Sequence, residues 1–233
     1  AVDTKQVNTE LNRISKEFHK IAIKYSAPED SFVEKWFEKE TSRELAALRE
    51  IILNLPQSSE RDFLLVAFIG IIRRVSKAFD GEVRPHINKA KKQRGVFEAF
   101  SKKVRDMCSD HDHYMRLINT RTPSKCLLGS NVELPSILND GKCHLVISHP
   151  PYLNSFNYTP VYSLEFYWGV PFEAEYTGGQ KNLHKQELTA HPASEKITDS
   201  YFSHLEQCYR ETYKIQSPGG YLAIVIGDCT RNG

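Results

Sequence analysis

The chain has 233 residues, a formal net charge of +2, 40% hydrophobic residues and 26% charged residues. This length and composition suit one large or two small globular domains and exclude a disordered chain. The sequence has no run of about 18 apolar residues and no basic-then-apolar start, so it predicts neither a membrane span nor secretion, and we expect a cytoplasmic protein.

Three helices are predicted in the first third of the chain. Apolar residues recur at three- and four-residue steps over residues 4–25, which is the period of an amphipathic helix. A serine cap at its start and a proline after its end predict a second helix over residues 31–55. The third is predicted over residues 60–79, where an apolar run is followed by basic residues and then by Asp80-Gly81.

A basic loop separates these helices from a fourth one, predicted over residues 96–117. Between Arg84 and Arg105 there are eight Lys or Arg residues against the single acid Glu98, so the rest of the chain is net acidic. Loop side chains can reach a phosphate backbone without a fixed helical geometry, whereas the alternative is a solvated charged loop. The candidates for phosphate contact are Arg84, His86, Lys89, Lys91, Lys92 and Arg94.

The pattern changes after Pro123 to short apolar runs separated by Gly, Asn and Asp. Such runs favour strands that alternate with helices. Strands are predicted at residues 125–128, 144–148 and 221–226, with a helix over 201–214 and a turn at 217–220. The second half is therefore expected to be α/β, with a largely parallel sheet.

The five cysteines are scattered and contain no Cys-x-x-Cys pair. We expect reduced thiols. Cys108, His111 and His113 lie close together in the sequence, but no second ligand pair follows at a zinc-like spacing, so no metal site is predicted.

The strand predicted at residues 144–148 ends in Ser148-His149-Pro150-Pro151-Tyr152, at the edge of an α/β sheet where ligands gather. Two prolines fix the backbone and have no N–H, so we expect their carbonyls to face outward as acceptors. Acceptors that hold an exocyclic amine favour its attack on a methyl sulfonium, and Tyr152 would stack on a base flipped out of a duplex. For the segment alone, the alternative is a Pro-Pro turn with a packed tyrosine.

Residues 148–154 resemble the catalytic segment of the S-adenosylmethionine-dependent DNA amino-methyltransferases of restriction–modification systems. In this family, which modifies adenine N6 or cytosine N4, the segment typically reads Thr-Ser-Pro-Pro-Tyr-Leu-Asn. Residues 156–158, 161–165 and 217–228 resemble the same family. The resemblance implies an incomplete Rossmann-like methyltransferase sheet, in residues 121–233, preceded by a helical region, residues 1–120, that contains a candidate DNA-contacting insertion.

The resemblance also implies roles for individual residues. The catalytic residues would be His149, Pro150, Pro151 and Tyr152. The residues beside the cofactor S-adenosylmethionine would be Gly129, Ser130 and Ser148. Asn154 and Tyr158 would join the basic loop in contacting DNA.

Three departures from the family pattern change these expectations. His149 stands where the family has Asp, Asn or Ser, and because imidazolium cannot accept a hydrogen bond we expect activity to fall at low pH. Gly129-Ser130 stands where the family has Gly-Asp, which predicts a weaker cofactor site. The family's glycine-rich cofactor loop has no counterpart, so we expect a second polypeptide or a missing segment to complete the methyltransferase domain.

Two other functions stay open at this stage. One is a non-catalytic DNA-binding relative that kept the base pocket without methyl transfer. The other is an RNA or protein amide methyltransferase that shares the Pro-Pro-Tyr chemistry. Fold analogy does not separate these functions.

Overall fold

The computed structural model describes residues 2–118, 124–127, 129–139, 141–152, 158–169 and 195–226. The chain forms two compact units, which we call the helical unit (Ala1–Thr122 with Val161–Glu173) and the sheet unit (Pro123–Pro160 with Ala174–Gly233). Val161–Glu173 thus groups with the helices, whereas the sequence-based division places it in the α/β region. The fold is mixed α/β. Within the described ranges, no helix has both the length and the apolar character needed to cross a membrane.

In chain order, the described elements are α1 (Thr4–Ala22), α2 (Ser31–Trp36), α3 (Lys39–Leu53), α4 (Ser59–Ile69), α5 (Ile72–Val75), α6 (Val96–Leu117), a 3-10 turn (Asn131–Glu133), α7 (Leu134–Ile137), β1 (Cys143–Ser148), α8 (Tyr158–Val161), α9 (residues 163–169), α10 (Glu195–Ile215) and β2 (Gln216–Ile224).

The first and last long helices of the helical unit follow their sequence patterns. The carboxylate of Asp3 accepts hydrogen bonds from the first backbone N–H groups of α1, and the apolar residues at three- and four-residue steps are buried. The prediction of α6 over residues 96–117 is confirmed, and its apolar side packs on the same core. The largest fully buried side chains of this core are Trp168, Phe18, Phe37, Phe68 and Phe100.

The single helix predicted over residues 31–55 is wrong, because the chain forms α2 and α3 with a break between them. Phe37 adopts an extended backbone conformation (φ −132°, ψ 153°) and its side chain is 1% exposed. Its ring meets Trp168 edge to face, with centroids 5.7 Å apart. Burial of this aromatic side chain outweighs the local preference for a continuous helix.

The helix predicted over residues 60–79 is also divided and ends earlier, at Val75. The chain interrupts the helix at Gly70-Ile71, and glycine is a weak helix former. Ser76 is extended, and its hydroxyl donates to the carbonyl of Arg73 (2.8 Å) and accepts from the N–H of Ala78 (3.1 Å). These local hydrogen bonds compete with continuation of the helix.

The sheet unit contains two parallel strands, with α10 leading directly into β2. The predicted strand at residues 221–226 begins earlier, at Gln216. Cys143 pairs with Gln216 but Leu145 pairs with Tyr221, so the predicted turn at 217–220 forms an irregularity inside β2. Gly219 in this irregularity has φ +75°, a conformation that favours glycine.

The strand predicted at residues 125–128 is wrong for the part that the structure describes. Residues 125–127 are exposed and have no regular structure, and Leu128 lies outside the described residues. A strand needs a hydrogen-bonded neighbour, and in the described ranges the sheet consists of β1 and β2. The fuller Rossmann-like sheet stays a prediction.

Candidate functional site

The Pro-Pro-Tyr segment begins where β1 ends. The carbonyl of Ser148 accepts the N–H of Val225 at 2.8 Å, which holds the end of the strand. After it, His149 is exposed, Pro150 is buried, and Pro151 and Tyr152 are half-buried. An irregular segment with two consecutive prolines thus presents side chains at the carboxyl end of a parallel strand, where the sequence predicts a site.

His149 and Tyr152 are in direct contact. The imidazole Nε2 lies 2.7 Å from the tyrosine hydroxyl, and the rings are perpendicular with centroids 5.2 Å apart. If Nε2 carries the proton, it donates to Tyr152 and leaves Nδ1 free to accept a hydrogen from an amine. His149, which stands where the family has Asp, Asn or Ser, therefore lies directly beside Tyr152, the residue predicted to stack on the base.

The structure adds Tyr201, on α10, to this segment. Its hydroxyl donates to the carbonyl of Pro151 at 2.5 Å, and its side chain is 6% exposed. Burial, with a smaller effect of Tyr209, raises the pKa of Tyr201, so this phenol stays a hydrogen-bond donor. Sequence reasoning missed Tyr201, because nothing in the helical pattern of residues 201–214 links it to the prolines.

This hydrogen bond corrects the prediction that both proline carbonyls face outward as free acceptors. The carbonyl of Pro151 already has a protein donor. Because a carbonyl oxygen has two lone pairs, it keeps capacity for one more hydrogen bond. The acceptor set for an amine is therefore smaller than the sequence predicts.

Two of the three residues predicted beside the cofactor have local structural explanations. Gly129 and Ser130 are both exposed. A Cβ atom on Gly129 would lie 2.2 Å from Cδ1 of Ile137, so a larger residue here would force the Ile137 side chain of α7 to move. The carbonyl of Ser130 accepts the N–H of Glu133 at 2.9 Å at the start of the 3-10 turn. Among the hydrogen bonds of the described residues, none joins Gly129 or Ser130 to Ser148.

The basic loop folds back on the segment after α5. The N–H of Phe79 donates to His86 (3.0 Å) and that of Asn88 donates to Lys77 (2.7 Å), as in an antiparallel bridge. At the turn, Gly81 has φ +84°. The exposed members of the predicted DNA-contacting set are Arg84, His86, Lys89, Lys92 and Arg94.

Lys91 differs from the rest of the basic loop. Its ammonium donates to the carbonyls of Arg73 (2.9 Å) and Ala78 (2.6 Å) and to the carboxylate of Asp80 (2.9 Å), and its side chain is 8% exposed. These three acceptors satisfy its three donors. We therefore assign Lys91 to the structure of the loop, which corrects its prediction as a DNA contact.

This assignment predicts a difference between two adjacent lysines. Lys91→Gln should lower the free energy of unfolding by about 1–3 kcal/mol, because it leaves buried acceptors without their charged donor. Lys92→Gln, at an exposed position, should change it by less than about 0.5 kcal/mol. Urea unfolding measures both, and equal losses would contradict the assignment.

The two remaining predicted DNA contacts are Tyr158 and Asn154. Tyr158 begins α8 and is 50% exposed. Asn154 lies outside the described residues. Only Tyr158 can therefore be placed, on an accessible surface of the sheet unit.

Arg73 is the most connected cation of the helical unit. Its Nη1 donates to the carbonyls of Glu82 (2.8 Å) and Val83 (3.3 Å), its Nη2 donates to the carbonyl of Val161, and its Nε lies 3.3 Å from the carboxylate of Glu165. Burial raises the pKa of Glu165 despite the opposing charge of Arg73. Arg73 therefore ties α5 to the basic loop and to the segment that contains α9.

Comparisons of the chain with models of protein families, with curated proteins and with solved structures found no match.

Proposed function

We propose that this chain is part or a subunit of a DNA methyltransferase that transfers a methyl group from S-adenosylmethionine to the exocyclic amine of adenine or cytosine, through a flipped base. The observation that carries this proposal is the Pro-Pro-Tyr segment at the carboxyl end of β1. There, Pro150-Pro151 holds a rigid backbone, and His149 and Tyr152 stand beside it. Acceptors and an aromatic ring at a strand end are what binding of an amino base requires.

In this proposal, the residues of this chain orient the amine of the base, and S-adenosylmethionine supplies the methyl group. The ring of Tyr152 stacks on the flipped base. The carbonyl of Pro150, the free lone pair of Pro151 and a ring nitrogen of neutral His149 are the acceptors that can take the two amine hydrogens. Holding both hydrogens favours the form of the amine whose lone pair is localised for attack, which is an effect of positioning and electrostatics.

The described residues fit the base side of such a site better than the cofactor side. Gly129 and Ser130 are both exposed, and the packing of Gly129 against Ile137 explains the choice of a small residue without a cofactor. The sequence also lacks the glycine-rich loop and the ribose-binding acid that the family implies. We therefore propose that a second polypeptide, or a segment outside the described residues, supplies the cofactor cradle.

Exposed apolar side chains on one face of the sheet support the proposal of a partner that packs against it. Leu145, Ile147 and Tyr221 share one face, because Leu145 pairs with Tyr221 in the parallel register, and they are 56%, 70% and 75% exposed. Parallel sheets are normally covered on both faces. A partner that packs a layer of structure against this face would bury these side chains.

The basic loop supports DNA as the substrate. Arg84, Lys89 and Lys92 are exposed and sit beside the turn at Gly81, so they can contact phosphates without a change in fold. Such contacts position a duplex and do not read its sequence.

A non-catalytic DNA-binding relative is the second candidate function. The observation that favours it is the hydrogen bond between His149 and Tyr152, since an imidazole stands where the family has a small acceptor and is already engaged. Such a protein would bind a flipped base without transferring a methyl group.

Labelled methyl transfer to duplex DNA, RNA and protein acceptors tests the proposal. The assay uses the chain with any polypeptide that co-purifies with it, and we expect label in duplex DNA. Tyr152→Ala should lose this transfer, and Tyr213→Ala is its matched control, because Tyr213 is 78% exposed on α10 and has no part in the proposed site. Label in RNA or protein alone would contradict the proposal, and bound cofactor without any transfer would favour the non-catalytic relative.

A further inference from the structure

A cavity of about 320 Å³ lies at the end of α5, beside the basic loop. It is lined by Arg73, Arg74, Asp80, Gly81 and Arg94, and we call it the arginine pocket. Its volume is at the lower end of the range of about 300–1,000 Å³ that small-ligand sites occupy. Three of its five lining residues carry a positive charge.

The single carboxylate of the pocket does not offset these charges. One oxygen of Asp80 accepts from Lys91 at 2.9 Å, and the other lies 3.6 Å from Arg94. The ammonium of Lys91 is almost fully buried and has no donor left. Asp80 is therefore shared between Lys91, which does not line the pocket, and Arg94. Within the lining, three arginines face one carboxylate, and one of them, Arg73, is also paired with Glu165.

Two of the arginines have donors to offer. Within the described ranges, the side chain of Arg74 makes no hydrogen bond and no ion pair, although its charge contributes to the lowered pKa of Asp106. The side chain of Arg94 is 52% exposed, and its contact with Asp80 at 3.6 Å is long for a hydrogen bond. Arg73 instead uses its Nη donors on carbonyls and forms an ion pair with Glu165, so its guanidinium is held in a fixed position.

The walls of the pocket are held in place before any ligand arrives. Lys91 joins the carbonyls of Arg73 and Ala78 to Asp80. The turn at Gly81 has a positive φ that suits glycine. A ligand would therefore order two arginine side chains and not a loop.

We propose that the arginine pocket binds a phosphate group, with Arg74 and Arg94 as its donors and Arg73 as a fixed neighbouring charge. Planar guanidinium groups match the oxygens of a phosphate in paired hydrogen bonds. The phosphate can come from a DNA strand or from a free phosphorylated molecule. Only the first source rests on the proposed function.

Calorimetric titration of the full chain with inorganic pyrophosphate tests the site, without DNA or methyl donor. We expect saturable binding that weakens at least about tenfold in Arg74→Gln and in Arg94→Gln. Arg105→Gln is the matched control, because Arg105 is exposed on α6 and does not line the pocket. Since Arg94 is half exposed, its variant should fold even if the variant at position 74 does not.

Absence of saturable binding by the unaltered chain, or an equal loss in Arg105→Gln, would overturn the proposal. A second titration in the presence of a short duplex identifies the source of the phosphate. If the duplex abolishes pyrophosphate binding, the pocket takes a DNA phosphate, whereas independent binding overturns that source and assigns the pocket to a free phosphorylated molecule. Because no methyl donor is present, a failure here is distinct from a failure of methyl transfer.

Discussion

Arg73→Ala is expected to lower the free energy of unfolding of the helical unit by about 3–5 kcal/mol, which is the usual effect of removing one partner from a buried ion pair. The variant leaves Glu165 as a mostly buried carboxylate without its cation. It also removes the donors from the carbonyls of Glu82, Val83 and Val161.

Glu165→Gln should have a much smaller effect, below about 1.5 kcal/mol. The amide keeps a polar oxygen beside the guanidinium of Arg73, and the variant removes a charge whose burial is unfavourable, as the raised pKa of Glu165 indicates. Both tryptophans, Trp36 and Trp168, belong to the helical unit, so urea unfolding followed by their fluorescence reports on it. Equal losses in the two variants would contradict this account of the pair.

The Arg73–Glu165 pair should also make the stability of the helical unit depend on pH. Because folding raises the pKa of Glu165, the folded state favours its protonated form. The protonated carboxyl of Glu165 therefore stabilises the fold fully below the ordinary pKa of a glutamate, and this stabilisation is lost as the pH rises through the raised pKa of the folded state. Glu165→Gln should remove this part of the pH profile, and an unchanged profile would rule out Glu165 as its source.

Tyr152→Ala is expected to weaken binding of a flipped base by about 5- to 150-fold, because stacking on an aromatic ring contributes about 1–3 kcal/mol per base. Tyr152→Phe keeps the ring and removes only the hydroxyl that contacts His149, so it should retain most of the binding. Tyr213→Ala removes an exposed tyrosine elsewhere in the sheet unit and should have no effect.

A duplex with a fluorescent base analogue at the target position measures this effect, in the presence of any polypeptide that co-purifies with the chain. Flipping the analogue out of the stack changes its fluorescence. The melting temperatures of the three variants show whether the fold is kept. If the affinities for Tyr152→Ala and the unaltered chain are the same, Tyr152 does not stack on the base.

The helices that the sequence predicts best are those with a regular apolar period. In α1 and α6, the local pattern and the buried face agree, so the period alone places them. Phe37 shows where this reasoning fails. Its burial against Trp168, distant in the sequence, breaks a helix that propensity favours.

The candidate site shows a similar limit. The sequence identifies the Pro-Pro-Tyr segment because proline and tyrosine carry their chemistry in their residue types. It does not identify Tyr201, whose contact with Pro151 spans 50 residues. Nor does it separate Lys91 from Lys92, since only the fold decides which ammonium meets carbonyls and which meets water.

The identity of the methylated nucleoside tests whether this chain takes part in methylating the exocyclic amine of adenine or cytosine. Duplex DNA is incubated with S-adenosylmethionine and the chain, together with any co-purified polypeptide, then digested to nucleosides and analysed by mass spectrometry. We expect N6-methyladenine or N4-methylcytosine, and a large loss of this product in Tyr152→Ala but not in Tyr213→Ala. A methyl group on a ring carbon, or a product that Tyr152→Ala leaves unchanged, would contradict this prediction.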